Sequence, residues 1–118
     1  MKNIDDVEHT VQRWYAVRCI FHWSSVGAYE ERITLWRTTT FEEAITRAED
    51  EASRYETRDA DEYRIKYVGT AQASLVAAEL SDDAEGGECF SLLRDSTLTP
   101  DEYVARFYAT GAERQGQV

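Results

Sequence analysis

A two-residue alternation over residues 13–24 constrains the fold more than any other feature of the sequence. One side of this stretch is apolar throughout and carries Tyr15, Val17, Cys19, Phe21 and Trp23. The other side is mixed and carries Trp14, Ala16, Arg18, Ile20, His22 and Ser24. Because strand side chains alternate between two faces, this aromatic and β-branched pattern predicts a β-strand. A turn at residues 25–28 and a second strand at residues 29–38 complete a predicted antiparallel hairpin, with Ile33 and Leu35 as the apolar centre of the second strand.

Two helices are predicted from capping signals. Thr40 and Glu43 form a capping-box pattern, and an apolar stripe at steps of three and four residues predicts a helix from about Phe41 to Tyr55, ended by the polar residues 56–62. Thr99 and Pro100 open a second helix by the same logic, with Gly111 as its stop.

Two further strands are predicted between these helices. Residues 63–68 alternate like a strand, and residues 71–80 are predicted to continue it, although their alanines also permit a helix. Residues 81–87 are a loop and residues 89–94 a fourth strand. The order β-β-α-β-β-α predicts an α+β fold in which helices pack on a four-stranded antiparallel sheet. We expect residues 1–118 to form one domain, with an ordered core at about 12–110 and frayed ends.

The strongly acidic composition limits the classes of partner. The net charge is -10, so the surface repels nucleic-acid phosphates and anionic membranes, and we predict neither as a partner. Solubility alone is a sufficient explanation of this charge, and a basic protein is the partner it would suit.

No motif in the sequence predicts chemistry. Cys19 and Cys89 have neither the spacing nor the neighbours of a zinc site, and Cys19 and His22 face opposite sides of a strand, which argues against a catalytic pair. The acidic loop at residues 82–88 lacks the order of a calcium loop. We therefore predict no catalytic residue, no metal and no cofactor. The N-terminus lacks a signal-peptide pattern, so the expected location is the cytoplasm.

Four segments give the chain a resemblance to a known group. They are Trp14-Tyr15-Ala16-Val17-Arg18, the passage from Glu30–Thr38 into the helix at Phe41-Glu42-Glu43-Ala44, Tyr67-Val68-Gly69-Thr70-Ala71-Gln72-Ala73, and Gly87–Arg94 with Tyr103–Tyr108. Over about residues 13–109 the chain resembles the small bacterial proteins grouped as domain of unknown function 4288. The resemblance implies a bacterial source and brings no activity, cofactor or catalytic residue.

The mixed face of the first strand is the predicted binding surface. Trp14, Ile20 and Trp36 are predicted to share it with Arg18 and His22. One helix layer covers one face of a sheet, so these side chains would form an exposed aromatic patch of the kind that interfaces use. In the alternative, the C-terminal helix covers this face and buries both tryptophans.

Two functions remain open from the sequence. The first is a non-enzymatic interaction domain that pairs with itself, as in a homodimer, or neutralises a basic protein partner. The second is a small enzyme or ligand-binding domain with a pocket between sheet and helices, near Tyr15, Trp23, His22 and Arg18.

Overall fold

The computed structural model describes residues 11–108, with the side chains of residues 57–63 outside that description. The elements are β1 Arg13–Trp23, β2 Ala28–Thr38, α1 Phe41–Tyr63, β3 Ile65–Val76, β4 Glu88–Asp95 and α2 Pro100–Phe107. A 3₁₀ turn, Asp82–Ala84, lies in the connection between β3 and β4. The order β-β-α-β-β-α confirms the predicted α+β fold.

The four strands form one antiparallel sheet in the order β3-β1-β2-β4. Trp23 faces Ala28 across the hairpin, so the four residues 24–27 make the turn. Gly27 lies in this turn at a φ of 64°, a backbone conformation that glycine adopts without steric cost. The same register places Tyr15 opposite Trp36.

We call the side of the sheet that carries Tyr15, Val17, Cys19 and Phe21 the first face. It packs against α1 through buried alanines at positions 44, 48 and 52. These small side chains let the helix approach the sheet closely. The main core of the domain therefore lies between α1 and the first face, as the apolar stripe predicts.

We call the opposite side, with Trp14, Arg18 and Ile20, the second face. The short helix α2 covers one end of it, where Tyr103 and Tyr108 form a second cluster with Ile20 and Tyr29. Its N-terminus carries the predicted capping box between Thr99 and Glu102. Which face α2 covers was open from the sequence, and the structure answers it.

The capping box predicted for α1 forms only in part. The backbone N–H of Glu43 donates to Thr40 Oγ1 at 3.1 Å. The Glu43 carboxylate accepts hydrogen bonds from Thr39 Oγ1 and Arg47 Nη2. Thr40 thus satisfies an otherwise free helical N–H, as expected.

Two element ends differ from the sequence prediction. Helix α1 continues through residues 56–62 to Tyr63, because polar residues alone do not end a helix; it ends before Arg64, which has a φ of 52°. Strand β3 ends at Val76, and residues 77–80 have left the sheet. The chain must leave there, since β4 lies at the opposite edge of the sheet.

Some predictions fall outside the described residues. The frayed ends and the helix stop at Gly111 belong to residues 1–10 and 109–118, which the structure does not describe. Within the described range, no helix is both long and apolar enough to cross a membrane.

Candidate functional site

The two tryptophans predicted to share the second face lie on opposite faces of the sheet. In the observed register Trp14 faces Arg37, and Trp36 faces Tyr15 on the first face. Trp36 belongs to the core beneath α1 and donates its indole N–H to Thr34 Oγ1 at 2.8 Å. The prediction that Trp36 joins Trp14 in one patch is therefore wrong, because a four-residue turn pairs even-numbered residues of β2 with odd-numbered residues of β1, and Trp36 thus shares the face of Tyr15.

Neither tryptophan is exposed. Trp14 is 2% exposed and Trp36 is 8% exposed. Trp14 lies at the end of the second face, between grooves lined by residues 75–79 and by Arg37 and Asp82. Residues 77–79 and Asp82 of the β3–β4 connection line these grooves beside Trp14, and the expected exposed aromatic patch does not form.

The other three predicted interface residues pack within the second face, and two of them, Arg18 and Ile20, contact α2. Arg18 donates to Glu31 Oε1 at 2.8 and 3.0 Å and to the Phe107 carbonyl at 2.6 Å. Ile20 is fully buried beneath α2. His22 stacks on Tyr29 with ring centroids 4.4 Å apart, and desolvation lowers the pKa of its imidazole. These side chains therefore have a structural explanation.

Of the two residues predicted to line a pocket on the first face, Tyr15 is buried in its core and the partly buried Trp23 packs against it. Tyr15 makes an edge contact with the Phe41 ring at 4.8 Å. Trp23 donates its indole N–H to Glu30 Oε1 at 3.2 Å. Hydroxyls of Tyr55 and Ser91 also donate to Glu30, at 2.7 and 2.9 Å, so this 7%-exposed carboxylate is satisfied in place.

The thiols show no sign of nucleophilic activation. Burial raises the pKa of the Cys19 thiol to about 12, and Cys19 lies 4% exposed in the core. Burial also raises the pKa of the exposed Cys89 thiol, with a smaller contribution from Glu88. Because the thiolate is the reactive form, both groups stay protonated and weakly nucleophilic at neutral pH.

An apolar groove lies on the second face beyond the reach of α2. It has a volume of about 650 Å³, and its lining includes Ile33, Leu35, Val76, Ala78, Leu80 and Phe90. Two neighbouring strands, the end of a third and the β3–β4 connection contribute these side chains. Phe90 is 49% exposed, which is unusual for a phenylalanine in a sheet. We call this surface the second-face groove.

The sequence analysis identified only part of this groove. Ile33 and Leu35 were recognised as apolar, while Leu80 and Phe90 were not considered as binding residues. The available signal was the alternation of Phe90 and Leu92 along β4, which puts two large apolar side chains on one face. What the sequence could not show is that α2 ends short of them.

Acidic side chains border the second-face groove. Residues 79–102 contain eight acidic residues and a single arginine, so this stretch accounts for most of the net charge of -10. All eight are exposed: Glu79, Asp82, Asp83, Glu85, Glu88, Asp95, Asp101 and Glu102. Glu79 directly separates two groove residues in the chain, and Glu88 precedes Cys89, which also lines the groove, so the five acidic residues of 79–88 form the acidic border; Asp95 lies at the other end of β4, and Asp101 and Glu102 lie in α2.

Part of this acidic border serves the fold. Asp82 accepts from Arg37 Nη1 at 3.2 Å, and Glu85 accepts from the Arg37 backbone N–H and from Arg47 Nη1. These bonds tie the β3–β4 connection to β2 and α1. In the described part of the chain, no three acidic, histidine or cysteine side chains converge closely enough to hold a metal ion.

The architecture thus combines an apolar core, an uncovered apolar groove and an acidic border. The resemblance to domain of unknown function 4288 stays a prediction. No family model, curated protein or solved structure matches this chain.

Proposed function

We propose that this chain is a non-enzymatic interaction domain whose second-face groove receives apolar side chains of a basic protein partner. The observation that carries the proposal is the open groove of about 650 Å³ beside residues 79–88, which contain five acidic residues and no lysine or arginine. The apolar groove supplies a place for binding, and the charge selects the partner.

The groove supports binding because apolar area in contact with water favours association. Phe90 is about half exposed, and Ile33 and Leu35 beside it are only partly buried. Covering such side chains contributes about 25 cal/mol per Å² of apolar area removed from water. The acidic side chains around the groove would not lose their water on binding, because the rim of an interface stays solvated while only its centre is buried.

The charge favours a basic partner over a second copy of this chain. A homodimer through the groove would bring two copies of the acidic stretch together, and like charges across an interface oppose binding. A basic protein would be attracted to the same border and would associate faster at low salt. Of the partners that the sequence left open, we therefore choose the basic protein.

The groups that an enzyme would need are absent from the groove itself. Its lining is apolar apart from Cys89, whose pKa is raised, and a thiol of that kind is a weak nucleophile. Cys19 and Cys89 are also both free, which fits the reducing conditions of a cytoplasm. Cytoplasmic location is accordingly part of this proposal.

The test uses a synthetic peptide of about ten residues, the length of a typical strand, in which lysine and valine alternate. We expect it to bind the full chain, as measured by NMR titration, and to shift the amide signals of Phe90 and Leu35. Raising the ionic strength from about 0.01 to about 1 M, which shortens the Debye length from about 30 to about 3 Å, should weaken binding. A peptide that alternates glutamate and valine should not bind.

Two matched variants separate groove binding from non-specific attraction. Phe90→Ser removes an exposed ring from the groove and should weaken binding about tenfold, because burial of such a side chain contributes about 1.5–3 kcal/mol. Leu75→Ser changes a side chain of similar exposure, 40%, on the first face of the opposite edge strand, and should leave binding unchanged. Equal effects of the two variants, or concentration-dependent dimerisation without any peptide binding, would contradict the proposal.

A further inference from the structure

We propose that the basic partner docks by adding an extended segment as a fifth strand along the free edge of β4. This inference rests on the proposed function and states how the partner is held. Strand β4, Glu88–Asp95, is an edge of the sheet. It pairs with β2 on one side, and no strand of the described residues pairs with its other side.

Backbone groups of β4 point away from the sheet at alternate residues. The N–H of Ser96 donates to the Gly27 carbonyl at 3.0 Å, and Gly27 continues the β2–β4 register. Since hydrogen-bonded and non-hydrogen-bonded pairs alternate in an antiparallel ladder, Leu92 and Arg94 bond to β2, whereas Ser91 and Leu93 direct their backbone N–H and C=O groups outward. An added strand would bond to those outward groups.

The β3 edge is blocked near its middle, whereas the β4 edge carries a register shift only at its start, between Glu88 and Phe90. On β3 the carboxylate of Glu56 in α1 accepts from the Tyr67 backbone N–H at 2.6 Å. Gly69 interrupts the same edge at a φ of 91°, next to a shift of register against β1. Proteins block edge strands by such means to prevent unwanted pairing. Strand β4 instead presents Phe90 and Leu93, which are 49% and 53% exposed.

The side chains of β4 specify an alternating partner. Phe90 lies opposite Ile33 and borders the second-face groove, so its neighbours on an added strand would be apolar. Ser91 and Leu93 lie on the first face, and two exposed carboxylates flank them at the ends of the strand: Asp95, and Glu88, whose Oε1 also accepts from Arg32 Nε at 2.7 Å. A partner strand with apolar residues on the groove side and lysine or arginine on the other side would complement both faces.

Charge again decides against a second copy as the added strand. Two β4 edges paired antiparallel would juxtapose two acidic borders, and each copy carries a net charge of -10. A basic segment would instead be attracted to the acidic side chains at the same positions. The preferred occupant is therefore an extended basic segment with alternating apolar residues.

Amide hydrogen exchange of the full chain tests the edge directly. In the free chain, the amides of Ser91 and Leu93 should exchange fast, while those of Leu92 and Arg94 are protected by the ladder to β2. Saturation with the alternating lysine–valine peptide should slow the Ser91 and Leu93 amides about tenfold or more and leave the other two unchanged. Protection of Ser91 and Leu93 in the free chain would overturn the proposal, because the edge would already be paired.

Two perturbations of the hydrogen bonds provide the second readout. Leu93→Pro removes one outward N–H without touching the ladder to β2, and Leu93→Ala is its matched control for side-chain loss. Affinity for the peptide should fall about tenfold more for proline than for alanine. Methylation of alternate backbone nitrogens in the peptide should abolish binding to the unchanged chain, which keeps the test valid if the proline variant fails to fold.

The two proposals can fail separately. Peptide binding that depends on Phe90 but tolerates both Leu93→Pro and peptide N-methylation would overturn strand addition and retain the groove as the interaction site. Absence of binding by the alternating peptide and by its glutamate counterpart would overturn both proposals.

Discussion

The hydroxyl of Tyr103 tests whether α2 is firmly docked on the second face. It donates to Glu31 Oε2 at 2.6 Å, and Glu31 is only 6% exposed. Tyr103→Phe removes this donor, together with the acceptor of a 3.3 Å bond from Arg94 Nη1, but keeps the ring, which stacks on Tyr29 at 4.0 Å. A hydrogen bond to a charged group contributes about 1.5–3 kcal/mol, so the free energy of unfolding should fall by that amount. Urea unfolding at neutral pH measures it as a lower midpoint with an unchanged slope.

A double-mutant cycle supplies the control. Glu31 keeps its bonds from Arg18 in the Tyr103→Phe variant, so the loss stays below that of removing the carboxylate. In a Glu31→Gln background the acceptor is neutral, and Tyr103→Phe should then cost only about 0.5–1.5 kcal/mol. A loss under about 0.5 kcal/mol in the native background would refute the reasoning, since that is the size of an ordinary surface substitution. The second face would then be less covered than we describe, and the groove larger.

Three further predictions concern stability. Burial raises the Cys19 thiol pKa from 9.0 to about 12, so the thiol ionises in the unfolded chain first, and up to about 4 kcal/mol of stability should be lost between pH 9.0 and about 12. The unfolding free energies of the native chain and of Cys19→Ala should therefore converge over this pH range. Parallel pH profiles of the two proteins would contradict this. Burial and the Glu30 carboxylate raise the pKa of Tyr55, so the unfolding free energy of Tyr55→Phe should fall less than that of the native chain as the pH rises past 10.0. Urea unfolding at each pH measures both, and an equal fall in the two proteins would refute it. Arg64 has a φ of 52°, a left-handed conformation that costs any residue with a Cβ but not glycine. Arg64→Gly should therefore raise the free energy of unfolding by about 1 kcal/mol, seen as a higher melting temperature, whereas Arg64→Ala should not.

Local patterns in the sequence were sufficient to predict the elements. The alternation from Tyr15 to Trp23 set which β1 side chains enter the core, and the Thr99–Glu102 capping box located the start of α2. These signals act between residues a few positions apart, where chain geometry fixes the relation of side chains. The fold class followed from the order of the elements.

The faces of β2 and the coverage of the sheet were decided by tertiary structure. Trp36 lies on the first face because the four-residue turn pairs Tyr15 with Trp36, whereas a turn one residue longer or shorter would reverse the faces of the whole strand. The burial of Trp14, beside residues 77–79, and the short reach of α2 depend on contacts between segments distant in the chain. The sequence determined which residues are apolar and how each element presents them; only the packed chain determined which of them stay uncovered, because burial depends on every other segment that competes for the same surface.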